Sequence, residues 1–106
     1  MIAMSQIDEF VGRVAERFRP ERIILFGSHA AGTAAVHSDV DLLVVMEHEG
    51  NPLSQAVEIS RQVEAGFPLD LIVRDPNSMR QRIEENDWFL KEIVQKGRVM
   101  YEADDR

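Results

Sequence analysis

The chain predicts an α/β (α+β) domain with helices packed on one sheet of three or four strands, and three observations carry that expectation. Apolar runs at Arg22–Phe26, Leu42–Met46 and Leu69–Val73 are rich in β-branched residues and almost free of polar alternation, as expected of strands covered on both faces. Segments with apolar residues at spacings of three and four lie before and between these runs, which is the helical period. Breaker residues, among them Pro20, Gly27, Pro52 and Pro68, fall at the joints.

The elements follow in order. Ser5-Gln6-Ile7-Asp8 has the form of a capping box with Asp in the Glu position. Ile7, Phe10, Val11, Val14 and Phe18 then share one face, so a helix is expected from about Ser5 to Phe18, stopped by Pro20. After the strand Arg22–Phe26, Gly27 permits a tight turn and Ser28-His29-Ala30-Ala31 suits a short helix. Thr33 to Ser38 reads as loop, and a strand is expected from about Val40 to Met46, closed by the turn-rich run from Glu47 to Pro52.

Beyond Pro52, Leu53, Ala56, Val57, Ser60 and Val63 share a helical face, and Gly66 and Pro68 end that helix. A third strand follows at Leu69–Val73. Asp75-Pro76-Asn77-Ser78 is expected to be a turn that caps a helix from about Met79 to Glu85. Asp87 caps a last helix containing Trp88, Phe89, Ile93 and Val94, with Gly97 just past its end, and both aromatics are expected in the core or at an interface. Arg98–Tyr101 suits a short edge strand before an acidic tail, Glu102 to Arg106, expected to fray.

Composition narrows the function classes. The 106 residues, 44% of them apolar and without a Pro/Gly/Ser-rich linker, are expected to form a single domain over 1–106. No apolar run reaches the length that crosses a bilayer, and Met1-Ile2-Ala3-Met4-Ser5 has neither the basic flank nor the apolar stretch of a secretory signal, so a cytoplasmic location is expected. The absence of cysteine rules out disulfides and thiolate metal sites, and His29, His37 and His48 show no paired ligand spacing. A net charge of −7 argues against general nucleic-acid binding and points to a basic surface on any protein partner.

The chemistry sits between Arg22 and Met46. Side chains alternate along a strand, so Asp39 and Asp41 project from one face, about 6.6–7 Å apart. If the strand of Asp70 lies beside theirs, a third carboxylate joins them. Three such groups repel unless a cation sits among them, and Mg²⁺ takes oxygen ligands while keeping places for water and phosphate. Gly27 lets backbone approach a phosphate, and Ser28 with the N–H groups of the short helix can bind anionic oxygens. One strand end thus offers phosphate donors and the next offers metal ligands. Asp70 is the natural group to accept or orient the proton of an attacking hydroxyl.

Gly27-Ser28, ten residues, then Asp39-Val40-Asp41 resembles the G-S-x10-D-x-D signature of the DNA polymerase β-like nucleotidyltransferase superfamily, with Leu25-Phe26 before it and Leu42-Leu43-Val44 after it also fitting. The chain is similar in length to the minimal members of that superfamily, the MNT-type antitoxins paired with HEPN-domain toxins. The resemblance implies the mixed sheet of that fold, two Mg²⁺ ions (or Mn²⁺) on Asp39, Asp41 and Asp70, a nucleoside triphosphate at Gly27 and Ser28, and transfer of AMP from ATP to a hydroxyl, for which a tyrosine of a HEPN toxin is the expected acceptor. Many minimal members carry arginines after the Gly-Ser pair, where this chain has His29-Ala30-Ala31. The alternatives are an antitoxin that neutralises by binding alone and a transferase acting on a small molecule. His29 and Arg74 are read as solvent-facing, and Ser38 as a loop hydrogen-bonding residue.

Overall fold

In the computed structural model, which describes residues 1–104, the chain runs through helix α1 (Met4–Phe18), strand β1 (Arg22–Phe26), short helix α2 (Ser28–Ala31), strand β2 (Val40–Val45), helix α3 (Pro52–Gln62), strand β3 (Leu69–Arg74), helices α4 (Pro76–Glu84) and α5 (Trp88–Lys96), and strand β4 (Arg98–Glu102). The four strands form one mixed sheet in the order β3-β2-β1-β4. β1 pairs antiparallel with β2 and with β4, whereas β2 and β3 run parallel, joined through α3. That crossover is what a parallel pair requires, because no tight turn can bring the chain back to the same strand end.

The apolar strands are covered on both faces, as their lack of alternation predicts. On one face Ile23, Leu25, Leu42 and Val44 pack with Ile7, Phe10, Val11 and Val14 of α1 and with Ala56 and Ile59 of α3. On the other, Ile24, Leu43 and Val45 meet Met79 of α4 and Leu90 and Ile93 of α5. Leu42 to Val45 have no exposed surface, so β2 is the buried spine of the molecule. Gly97 lets α5 turn tightly into β4. A Cβ there would lie 2.6 Å from Ile24 Cγ2 and 2.4 Å from the Ile93 carbonyl oxygen.

Several local expectations are corrected. α1 starts at Met4, not Ser5. Its N-cap is Ala3, whose N–H donates to Gln6 Oε1 at 2.8 Å, so Ser5 sits inside the first turn and no capping box forms on it. The buried face of α3 is Ala56, Ile59 and Val63, while Leu53 and Val57 are 74% and 59% exposed. Two overlapping stripes at helical spacing competed here, and the one with Ile59 at its centre and the small Ala56 for close approach turned inward. α4 begins at Pro76, its N-cap Asp75 accepting from the Asn77 N–H at 3.3 Å. Proline at the first helical position loses no hydrogen bond, so the expected turn is the first turn of the helix itself.

Asp87 caps α5 as expected, accepting from the Leu90 N–H at 3.0 Å. Trp88 at its start is not core, being 73% exposed. The edge strand extends to Glu102, and the Ala103 N–H donates to the Glu21 carbonyl at 2.9 Å. This part of the tail is paired rather than frayed, and residues 105–106 lie outside the described residues.

The strongest local start signal is at α3, where Asn51 Oδ1 accepts the Ser54 N–H at 2.8 Å and Pro52 follows at the first helical position. Asn51→Ala is expected to cost about 1 kcal/mol. Urea unfolding checks this: the midpoint falls while the slope of the transition stays unchanged.

Candidate active site

The site is assembled at one end of β1, β2 and β3. In the antiparallel ladder Phe26 stands opposite Asp41, and in the parallel ladder Asp41 stands opposite Asp70. Neighbouring strands are about 4.8 Å apart, and directly paired residues point to the same side. Asp41 and Asp70 therefore share a face, the one covered further along by α4 and α5. Asp39 lies one residue before β2, near enough to Asp41 for its charge to act on that carboxyl. Asp41 is half-buried, whereas Asp39 and Asp70 are exposed.

Immediately after Phe26 the chain bends at Gly27, with φ 75° and ψ −155°. This region is open in practice only to glycine. The missing side chain also has a spatial reason, because a Cβ on Gly27 would fall 2.2 Å from Asp41 Oδ2. The Asp41 carboxylate thus lies against the bend, in space that any other residue would fill. α2 begins at Ser28, and the first N–H groups of a helix have no carbonyl within it to bond.

The electrostatics bear the mark of crowding. Burial pushes the Asp41 carboxyl above its ordinary value, the charges of Asp70 and Asp39 push it the same way, and His29 opposes them. Such a group binds a proton or a cation more readily than an isolated aspartate does. Among the described residues, no three Asp, Glu or His side chains already stand close enough to enclose one metal ion. The three carboxylates are ranged along the sheet end instead. In donor type and in mutual repulsion they suit a hard cation with oxygen ligands.

His29 is the residue whose place the sequence did not reveal. It is partly buried, and its Nε2 lies 3.1 Å from the Ser38 carbonyl oxygen. A carbonyl only accepts, so Nε2 carries the hydrogen. Ser38 is the expected loop hydrogen-bonder, its Oγ accepting the Ala35 N–H at 2.8 Å. Arg74 sits at the far end of β3 from Asp70 and donates to the Val73 carbonyl at 2.8 Å, away from the carboxylates.

Between α2 and α5 a cavity of about 500 Å³ opens beside Gly27 and Ser28, walled by Phe26, Phe89, Ile93 and Lys96. The Phe26 and Phe89 rings meet edge to face at 5.8 Å. A larger cleft of about 1090 Å³, near Arg22, Met46 and Glu102, lies at the opposite end of the strands and contains none of the three carboxylates.

A family model described as a nucleotidyltransferase domain matches residues 7–101. The chain belongs to that family. This nucleotidyltransferase is similar to two proteins of Methanocaldococcus jannaschii that bear the name "Putative protein adenylyltransferase". One is 28% identical over 100 residues, covering 90% of this chain and 94% of that protein. The other is 48% identical over 44 residues, covering 40% of this chain and 30% of that protein.

Among solved structures, a "putative nucleotidyltransferase" from Sulfolobus solfataricus superposes with a TM-score of 0.63 at 24% identity, over 92% of this chain and 78% of that one. A chain of a structure described as a toxin-antitoxin with AMP-PNP gives 0.59 at 18% identity, over 92% and 74%. At these identities the two structures establish the shared fold. The matched span, residues 7–101, contains Gly27, Ser28, Asp39, Asp41 and Asp70.

Proposed function

We propose that this nucleotidyltransferase transfers AMP from ATP to a hydroxyl on a partner protein, a tyrosine of a HEPN-type toxin, and thereby acts as the antitoxin of a pair in the cytoplasm. The observation that carries the proposal is the direct pairing of Asp41 with Asp70, with the Asp41 carboxylate seated over the Gly27 bend. It sets candidate metal ligands and a candidate phosphate-binding turn side by side. The names of the M. jannaschii relatives support protein adenylylation, and the fold shared with a toxin-antitoxin protein supports the pairing.

In this scheme Asp39, Asp41 and Asp70 hold two Mg²⁺ ions, for which Mn²⁺ can substitute. Bound there, the ions supply charge neutralisation for the departing pyrophosphate and acidify the attacking hydroxyl. Ser28 Oγ and the N–H groups opening α2 hold the phosphate oxygens, and Gly27 lets them come close. Asp70, on the exposed edge strand, accepts or orients the proton of the acceptor hydroxyl. Asp41 is the enclosed member and fixes the ligand set against the turn.

Incubation with labelled ATP, Mg²⁺ and the product of the neighbouring gene tests the scheme. Label is expected on a tyrosine of that partner, and its absence with either metal and an authentic partner overturns the proposal. A second reading, neutralisation by binding alone, is favoured by one observation: α2 carries His29-Ala30-Ala31 where a phosphate-binding turn gains from arginine. The double variant Asp39→Asn/Asp41→Asn separates the two. Protection from the toxin is expected to vanish while the complex persists; protection that survives would establish the binding reading.

A further inference from the structure

The three carboxylates are not held equally. Asp41 is locked between two ladders, opposite Phe26 on one side and Asp70 on the other, and Asp70 is fixed by the same pairing. Asp39 lies outside the strands, exposed, at the end of the loop that leaves α2. The position of its backbone depends on its neighbours. On one side Val40 is anchored, its N–H donating to the Pro68 carbonyl at 3.0 Å. On the other, Ser38 closes a turn, donating its N–H to the Ala35 carbonyl at 3.1 Å and accepting the Ala35 N–H on Oγ at 2.8 Å. Both of these bonds lie within the turn.

The bond that ties it to the rest of the site comes from His29, through Nε2–H to the Ser38 carbonyl at 3.1 Å. His29 is the second residue of α2, next to Ser28, so this hydrogen bond joins the proposed phosphate side directly to the peptide that precedes Asp39. A further link at the same helix, the Thr33 N–H donating to the Ser28 carbonyl at 3.0 Å, fixes where the loop departs but not where it returns.

We infer that His29 is a positioning residue: its hydrogen bond to the Ser38 carbonyl sets the distance between the Gly27-Ser28 turn and Asp39, and so completes the ligand set. The imidazole reaches the loop as an N–H donor of fixed length, a task for which its charge is not needed. This rests on the proposed metal role of Asp39. Partners that hydrogen-bond a metal ligand directly contribute about 10–100-fold to metal affinity, and His29, acting one peptide further out through Ser38, is expected at the lower end of that range.

The test is Mn²⁺ binding to the purified full chain, followed by electron paramagnetic resonance without nucleotide, together with amide hydrogen exchange over residues 33–39. His29→Ala is expected to weaken Mn²⁺ binding about 10-fold and to speed exchange across the loop. His29→Gln places an amide N–H where Nε2–H stood and is expected to recover most of both, whereas His29→Asn, whose amide falls short of the carbonyl, is expected to resemble alanine. If the alanine variant does not fold, the Gln and Asn variants carry the comparison. Equal Mn²⁺ affinity in the Gln and Asn variants, or wild-type affinity in the alanine variant, overturns the inference. Asp39→Asn is the control for the underlying site: undiminished Mn²⁺ binding in that variant removes the metal role of Asp39 itself, and weakened binding there with an unaffected His29→Ala removes only the positioning role.

Discussion

Gly27→Ala is expected to abolish nucleotidyl transfer and to destabilise the fold by about 1–3 kcal/mol. Two independent effects converge at this position. The backbone adopts φ 75° and ψ −155°, which a residue with a Cβ reaches only under strain. The added methyl would also stand 2.2 Å from Asp41 Oδ2, so either the bend or the carboxylate must move. The ladders hold the Asp41 backbone on both sides, so the displacement falls on its carboxylate or on the turn, and either way a proposed metal ligand and the proposed phosphate-binding element are moved apart.

Gly32 is the control. It too has a positive φ, 77°, but in the ordinary left-handed helical region, and a Cβ placed there would meet nothing within 4 Å. Gly32→Asn, a residue that tolerates this conformation, is therefore expected to leave stability and activity near wild type. Thermal unfolding and a transfer assay on both variants decide the matter: an active, fully stable Gly27→Ala protein would contradict the placement of Asp41 against the bend.

Asp41→Asn is expected to move activity and stability in opposite directions. Outer hydrogen-bond partners of metal ligands are worth 10–100-fold, so removal of a proposed ligand carboxylate is expected to cost at least about 100-fold in transfer rate. The metal-free protein, by contrast, is expected to become more stable at neutral pH. Burial first, then Asp70 and Asp39, raise the Asp41 carboxyl above its ordinary value, so the folded state favours its protonated form. A carboxyl raised in this way adds stability at pH values below its unfolded value. That contribution is lost as pH rises through the folded value, which leaves a net cost at pH 7.

Asparagine keeps the shape and removes the charge. The variant's melting temperature without metal is therefore expected to exceed wild type by a few degrees at pH 7, and the difference is expected to shrink toward acid pH. Partial solvent exposure limits the gain. Added Mg²⁺ is expected to raise the melting temperature of the wild type more than that of the variant, because binding to the folded state stabilises it. A variant less stable than wild type at pH 7 without metal would show that Asp41 is not crowded.

Much of the fold was legible because its strands are buried on both faces. Continuous apolar runs such as Ile23-Ile24-Leu25 and Leu42 to Val45 read as strands covered on both faces, and the resemblance carried by Gly27-Ser28, Asp39 and Asp41 implied which strand ends meet. The pairing of Asp41 with Asp70 needed only that the third strand run parallel to the second, which the helix between them makes natural. Helix faces and starts were harder. At α3 both Leu53-Val57 and Ala56-Ile59 satisfy the helical period, and the choice depends on what the sheet presents. At α4 the turn-forming residues are also good first-turn residues.

Trp88 is exposed because Asp87 fixes where α5 begins, and Leu90 and Ile93 then take the inward positions. The His29 bond to Ser38 has no local signature at all. It spans nine residues and exists only once α2 and the following loop have been placed.

The sheet order has a consequence for biosynthesis. β1, which leads into the Gly27 bend, gains β2 as a neighbour early, but its other flank is covered only by residues 98–102. Contacts between such distant parts of a chain form late, since the intervening loop must first be closed. A nascent chain that has just emerged through β3 therefore already contains all three candidate carboxylates, yet one side of the strand that aims the bend still lies open. The strand that leads into the bend is flanked on both sides only once residues 98–102 have been made.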